Sequence, residues 1–328
     1  MKKFLYGLIA CIALLALVYF MGPQPKEADL SKNYTFEIPD RAEGLTQYVL
    51  QHERHIKGLK AGNEAQIVWA DSLKEKTEYA FVYLHGFSAS HEEGAPVHEN
   101  LAKQFHANLY KARLFAHGID RGDSTMIDFN ADDYIQSGEE ALAIGKKLGK
   151  KVVLIGTSAG GAMSLFLASR HPEITALVLY SPCIEIYDPN AKMLDDPWGL
   201  QIARTILGSD TRHLEGKSPE EAKYWALNYR IESLVGLQNF LTPTMTKANF
   251  EKIKCPVFMG YYYRDEEHQD MVVSVKAELR MFDELGSETK EKMAFPNANA
   301  HVLASHVVSG SVARVESETA KFLHKVIP

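Results

Sequence analysis

The tightest constraint in this chain is five residues long. Gly156-Thr157-Ser158-Ala159-Gly160 follows directly on the apolar run Val152-Val153-Leu154-Ile155 and leads into a helical pattern from Gly160 to Ser169. An apolar run without alternation suits a central strand buried on both faces. Passing from such a strand into a helix with no intervening loop needs a very sharp turn. Small residues two before and two after Ser158 let strand and helix approach each other. The serine is then held exposed in a strained backbone conformation, next to a helix N-terminus whose partial positive charge favours a developing anion.

Short strands and amphipathic helices alternate around this turn. Ala80–Leu84 reads as a strand ending at His85-Gly86, Val97–Phe105 as a helix, and Asn108–Phe115 as extended chain. Asp132–Leu148 carries Ile135, Leu142, Ile144 and Leu148 on one helical face, and Ala176–Tyr180 is the next strand. Later come strand Val257–Gly260, helix Val275–Leu285, strand Met293–Phe295 and helix Ser311–Val326. This alternation predicts an α/β fold with a mainly parallel, doubly wound sheet and helices on both faces. The stretch 185–250 breaks the rhythm: it holds Trp198, Trp225 and short helical patches but no convincing strand, and reads as a helical insertion above the sheet. The expected organisation is an apolar N-terminal segment over 1–22, a Pro-containing linker or arm over 23–40, and one domain over 41–328.

A serine hydroxyl is a weak nucleophile at neutral pH and needs a base, itself oriented by an acid. In strand–turn–helix sites of this kind the order along the chain is serine, acid, histidine. His301, in Asn299-Ala300-His301-Val302 just after the final strand, is the predicted base, with His306 its rival. The acid should follow Val257–Gly260, which leaves Asp265 and Asp270. Main-chain N–H groups for an oxyanion would come from Ala159 and from the loop His85-Gly86-Phe87-Ser88, there from Phe87.

From about Glu78 onward the chain resembles an α/β-hydrolase of the bacterial esterase and monoacylglycerol-lipase kind. The resemblance rests on His85-Gly86-Phe87, Ala116-His117-Gly118, the Gly156–Gly160 turn, Asp270-Met271-Val272-Val273 and Asn299-Ala300-His301-Val302, in that order. It implies an eight-stranded sheet, a helical cap at about 185–250, a two-step acyl-enzyme mechanism and no cofactor. It also favours Asp270, with Asp265 kept as the alternative because the loop Tyr261–Gln269 is longer and more charged than the family pattern. The implied activity is hydrolysis of a carboxylic ester, acylglycerol- or lysolipid-like. A thioesterase, amidase or peptidase on the same three residues, or a non-catalytic binding protein on the same fold, are the alternatives.

Eighteen uncharged residues, Phe4 to Met21, follow Lys2 and Lys3. As a helix they would span roughly 27 Å, close to the thickness of a bilayer core. The basic flank predicts a signal anchor with its N-terminus in the cytoplasm and the domain exported. Cleavage as a signal peptide, or lipidation at Cys11, are the other uses of such a segment. A net charge of -6 without a basic run argues against nucleic acid as partner. Three cysteines, one of them within the apolar segment, exclude a disulfide scaffold and leave Cys183 and Cys255 as expected free thiols. No metal-ligand spacing occurs, and His52 and His55, which could share one helical face, read as surface or helix histidines. Gly122-Asp123-Ser124 resembles the nucleophile motif of another serine-hydrolase class and Asp210-Thr211-Arg212-His213 its acid–base motif, but Ser124 follows a loop rather than an apolar strand and His213 falls in the expected cap, so coincidence is the better account.

Overall fold

In a computed structural model, which describes residues 2–216 and 218–327, the run Val152–Ile155 lies at the heart of a seven-stranded sheet. The strands are β1 (Gln66–Val68), β2 (Thr77–Leu84), β3 (Asn108–Lys111), β4 (Gly149–Thr157), β5 (Ala176–Tyr180), β8 (Val257–Tyr261) and β9 (Lys290–Ala294). They lie in the order β1-β3-β2-β4-β5-β8-β9. Only β1 runs antiparallel to its neighbour; the other pairings are parallel. The resemblance implied eight strands, and the described residues supply seven.

Strand periodicity divides the core into two layers. Ala80, Val82 and Leu84 of β2 face one side, with Leu154 of β4 and Met259 of β8. Tyr79, Phe81 and Tyr83 face the other, with Val153, Ile155 and Phe258. Side chains alternate across a strand, so one short apolar segment serves both layers at once. The first layer is closed by α2 (Ala42–Arg54), α4 (Ala131–Leu148), α5 (Ala159–Arg170) and α10 (Val275–Glu284). The second is closed by α3 (Val97–Gln104) and α11 (Val312–Val326), which pack on each other. Asn130 caps α4 by accepting from the Asp133 N–H, with Lys146 and Lys147 at the opposite end, where the helix dipole favours positive charge.

Two features depart from the sequence reading. The stretch 185–250 holds α6 (Gly199–Leu207), α7 (Pro219–Tyr224), α8 (Glu232–Thr244) and α9 (Lys247–Phe250), but also a two-stranded antiparallel ladder of β6 (Thr211–His213) with β7 (Asn228–Arg230). Strands this short and this polar have no alternation for a sequence pattern to catch. Helix α8 continues through Pro243 and packs on α4 and α5, so the end of that stretch lies in the helical layer beside the sheet. Helix α2 was not read at all, although Leu45 and Val49 are core residues.

The N-terminal segment forms α1 (Lys2–Phe20), none of whose side chains is buried. After it, residues 22–40 contain no helix or strand. This arm is nevertheless tied down: Arg170 donates to Leu30 O at 2.6 Å and the Trp198 N–H to Pro23 O at 2.8 Å.

Candidate active site

The turn at Ser158 takes the conformation its small neighbours allow. Ser158 has φ 53° and ψ -118°, a region that L-residues rarely occupy, between the end of β4 and the start of α5. Its N–H donates to Tyr180 O at 2.9 Å, and its carbonyl accepts from Cys183 N–H at 2.9 Å and Ala162 N–H at 3.0 Å. The strained residue is thus clamped on both sides. The flanking glycines are required sterically. A Cβ on Gly156 would lie 2.4 Å from Gly160 O, and one on Gly160 would lie 1.9 Å from Leu84 O.

The loop after β9 carries His301, and the loop after β8 carries Asp270. His301 Nδ1 lies 2.5 Å from Asp270 Oδ2, and the Asp270 side chain is wholly buried. The other carboxylate oxygen accepts from the N–H groups of Val272 (2.8 Å) and Val273 (3.2 Å). Burial alone would raise the Asp270 pKa, but the adjacent imidazole and these bonds hold it below the usual carboxylate value. For His301 burial acts to lower the pKa, yet Asp270 outweighs it and the net shift is upward. His301 O is fixed by the Ser181 hydroxyl at 2.8 Å. His301 Nε2 has no hydrogen-bond partner among the described residues, and His301 and Ser158 line one cavity of about 710 Å³.

The rival residues lie elsewhere. Asp265 is half-exposed, its carboxylate turned to His268 Nδ1 (2.8 Å) and to N–H groups of its own loop. Asp265 and Glu266 are engaged within that loop, while Arg264 reaches out of it to Pro296 O (3.1 Å) and Asn299 Oδ1 (2.8 Å). His306 Nδ1 is bound to Ala95 O at 3.1 Å. Ser124 ends an exposed one-turn helix, Gly122–Ser124, and His213 pairs with Asn228 on the β6–β7 ladder. None of the four lines the cavity.

The loop after β2 reaches the same cavity. His85 is buried, accepts the Leu114 N–H at Nε2 (3.0 Å) and so donates from Nδ1 to Gly86 O (2.9 Å). Burial pushes its pKa down to about 4, keeping it neutral and rigid. Phe87 stacks edge-on against His117, Phe129 and Tyr229, which fixes the loop's direction. Among the described residues, no hydrogen bond engages the N–H of Phe87 or of Ala159.

Two buried carboxyls were not singled out from sequence. Glu93, in the one-turn helix His91–Gly94, borders the cavity and accepts from the Gly86 N–H and from the Tyr83 hydroxyl; burial pushes its pKa up to about 8. Glu278, on α10 behind Asp270, has neither oxygen hydrogen-bonded among the described residues, and burial and then Asp270 push its pKa well up. A glutamate in a His-Glu-Glu tripeptide or on an amphipathic helix carries no sequence signal of burial. A second cavity of about 580 Å³, beside α2 and Arg113, touches none of these residues. No group of His, Cys, Asp and Glu among the described residues could hold a metal ion.

Comparison with known proteins agrees with this architecture. A family model described as the α/β-hydrolase fold matches residues 79–266, a span that includes the Ser158 turn and ends before Asp270 and His301. A thermostable monoacylglycerol lipase of Bacillus sp. (strain H-257) is 27% identical over 217 residues, 66% of this chain and 80% of that one. Among solved structures, a metagenome-derived lipolytic enzyme superposes with TM-score 0.62 at 18% identity, over 81% of this chain and 99% of its own. The monoacylglycerol lipase of Paleococcus ferrophilus gives 0.55 at 16%, over 80% and 99%. The chain belongs to the α/β-hydrolase fold family and is a hydrolase of the lipase/esterase type.

Proposed function

We propose that the protein hydrolyses carboxylic esters of the monoacylglycerol or lysolipid kind through an acyl-enzyme on Ser158, with His301 as base and Asp270 as its orienting acid. The observation that carries this reading is the buried Asp270–His301 pair, whose free Nε2 shares a cavity with a serine strained into positive φ. In the first half-reaction Ser158 Oγ attacks the ester carbonyl and His301 Nε2 takes its proton. Asp270 stabilises the imidazolium, and the N–H groups of Phe87 and Ala159 receive the oxyanion. The tetrahedral intermediate collapses as His301 returns the proton to the departing alcohol. Water, deprotonated by the same nitrogen, then releases the acid and regenerates Ser158. No cofactor enters these steps.

The substrate class rests on the cavity's rim and on the relatives. Ile206, Met271 and Val272 border the cavity while being 71%, 59% and 52% exposed, which favours an acyl chain over a polar acyl group. The similarity to a Bacillus monoacylglycerol lipase points the same way. Helix α1 is 19 residues long, and an 18-residue window of it has mean hydropathy 2.2. We read it as a signal anchor, with Lys2 and Lys3 on the cytoplasmic side, the domain exported and the cavity near the lipid that would supply substrate. The test is hydrolysis of p-nitrophenyl esters and monoacylglycerols, from short to long chains, by the full chain in detergent. The reading expects a medium or long optimum and loss of turnover in Ser158→Ala. Turnover of thioesters or amides in preference to every ester would overturn the substrate class.

A further inference from the structure

Gly86 is gripped from both ends. Its N–H donates to Glu93 Oε1, while its carbonyl accepts from His85 Nδ1 (2.9 Å) and the Ala89 N–H (3.3 Å). These are two successive peptide planes. The second holds the Gly86 carbonyl and the Phe87 N–H, which point in opposite directions across a trans peptide. Fixing both planes fixes the single glycine between them, and with it the direction of the Phe87 N–H. Gly86 also sits against the reaction centre. A Cβ placed on it would lie 3.0 Å from Ser158 Cβ and 3.2 Å from Glu93 Oε2. Glu93 Oε1 further accepts from Tyr83 Oη (3.3 Å), which is 2.9 Å from the Thr157 hydroxyl, one residue before Ser158.

Building on the Ser158 reading above, we propose that Glu93 is a positioning residue for the reaction: its carboxyl locks the His85–Phe87 loop to the Ser158 turn so that the Phe87 N–H faces the acyl oxygen. A glycine is otherwise the least constrained residue in the chain, so a loop that must present one N–H through Gly86 needs an external anchor. A purely structural glutamate would not need to lie at the cavity wall between the serine and the loop. The groups facing Glu93 are Tyr83 from β2, Tyr134 from α4 and His301 from the loop after β9. Burial disfavours its charged form, and among the described residues no lysine or arginine hydrogen-bonds it to offset this. Ionisation above about pH 8 would place a negative charge beside the forming oxyanion, and that repulsion disfavours the transition state even though the bond from the Gly86 N–H is kept. The rate is therefore expected to fall on the alkaline side.

The test compares wild type, Glu93→Gln, Glu93→Leu and Ser158→Ala in the full chain. The readouts are the rate of labelling by a fluorophosphonate and kcat and KM on p-nitrophenyl butyrate, from about pH 6 to about pH 10. Glutamine keeps the carbonyl acceptor but cannot ionise. It should hold kcat within about 3-fold at pH 7 and lose the alkaline decline. Leucine removes the acceptor and should lower kcat and labelling about 10²-fold with KM little changed. Thermal unfolding checks that Glu93→Leu is folded, and if it is not, the pH profile of Glu93→Gln decides. A decline that persists in Glu93→Gln, or a Glu93→Leu that is folded and within about 3-fold of wild type, overturns the proposal. Wild-type labelling that is lost in Ser158→Ala establishes the parent reading independently. If wild type does not label at Ser158, both fall together.

Discussion

Gly160→Ala sets two opposing effects against each other, and the structure says which wins. Gly160 stands in the first turn of α5, where alanine is favoured by about 0.5–1 kcal/mol over glycine in helical backbone. The added methyl, however, would lie 1.9 Å from Leu84 O, 2.4 Å from Leu84 C and 2.6 Å from His85 O. These are main-chain atoms, with no side chain free to rotate away. Ordinary contact at 3.4 Å requires helix and strand end to separate by about 1.5 Å. Overpacking of this kind costs about 1–3 kcal/mol; a main-chain clash this close puts it near 3, and less the helical gain the net effect is destabilisation by about 2 kcal/mol. At about 2–4 °C per kcal/mol, the melting temperature should fall by about 4–8 °C. The displaced atoms belong to Leu84 and His85, which lead directly into the loop presenting the Phe87 N–H. A shift of about 1 Å in a reacting geometry costs about 10²-fold in rate. The assays are thermal unfolding and kcat on a p-nitrophenyl ester. An unchanged or higher melting temperature with kcat within about 2-fold would refute the steric reasoning.

Further outcomes follow from the two buried acids behind the cavity. Asp270→Asn should reduce kcat by about 10⁴-fold by removing the partner that orients His301, whereas Asp265→Asn should change it by less than about 2-fold; steady-state kinetics on both variants distinguishes the two loops. His301, with its pKa raised by Asp270, must be neutral to act, so activity should be lost as pH falls through a value above that of an ordinary histidine. In residual activity of Asp270→Asn that inflection should move to lower pH, and an unmoved inflection in the pH profile would contradict the assignment. Glu278→Met replaces a buried carboxyl, unpaired among the described residues, with an apolar chain of similar length and should stabilise the fold by about 1–3 kcal/mol at pH 7. A carboxyl whose pKa is higher folded than unfolded makes the native state lose stability as pH rises from about 4.3. The gain in melting temperature over wild type should accordingly shrink as pH is lowered towards 4.

The sheet was legible where a strand is buried on both faces. Val152–Ile155 and Ala176–Tyr180 are uninterrupted apolar runs because helices cover both sides of them. Strand β9, read as starting at Met293, in fact begins at Lys290, because an edge strand exposes half its residues and loses the apolar pattern. The β6–β7 ladder escaped for the same reason. At the site, Ser158 and His301 were legible because one needs glycines around it and the other a loop after the last strand. Asp270 and Asp265 could not be separated by spacing alone. What separates them in space is that the Val272 and Val273 N–H groups turn Asp270 inward while Asp265 caps its own loop. Glu93 and Glu278 were illegible since burial of a carboxylate is a property of the packed fold. No local pattern announces it.

The most direct test of the account is labelling of the full chain by a fluorophosphonate, followed by peptide mapping and comparison of wild type with Ser158→Ala and Ser124→Ala. An activated serine reacts with such a probe and an ordinary one does not. One modified residue is expected, Ser158, with labelling abolished in Ser158→Ala, undiminished in Ser124→Ala and lost in parallel with ester hydrolysis. Ester hydrolysis that survives in Ser158→Ala, or a label found on any other residue, would contradict it.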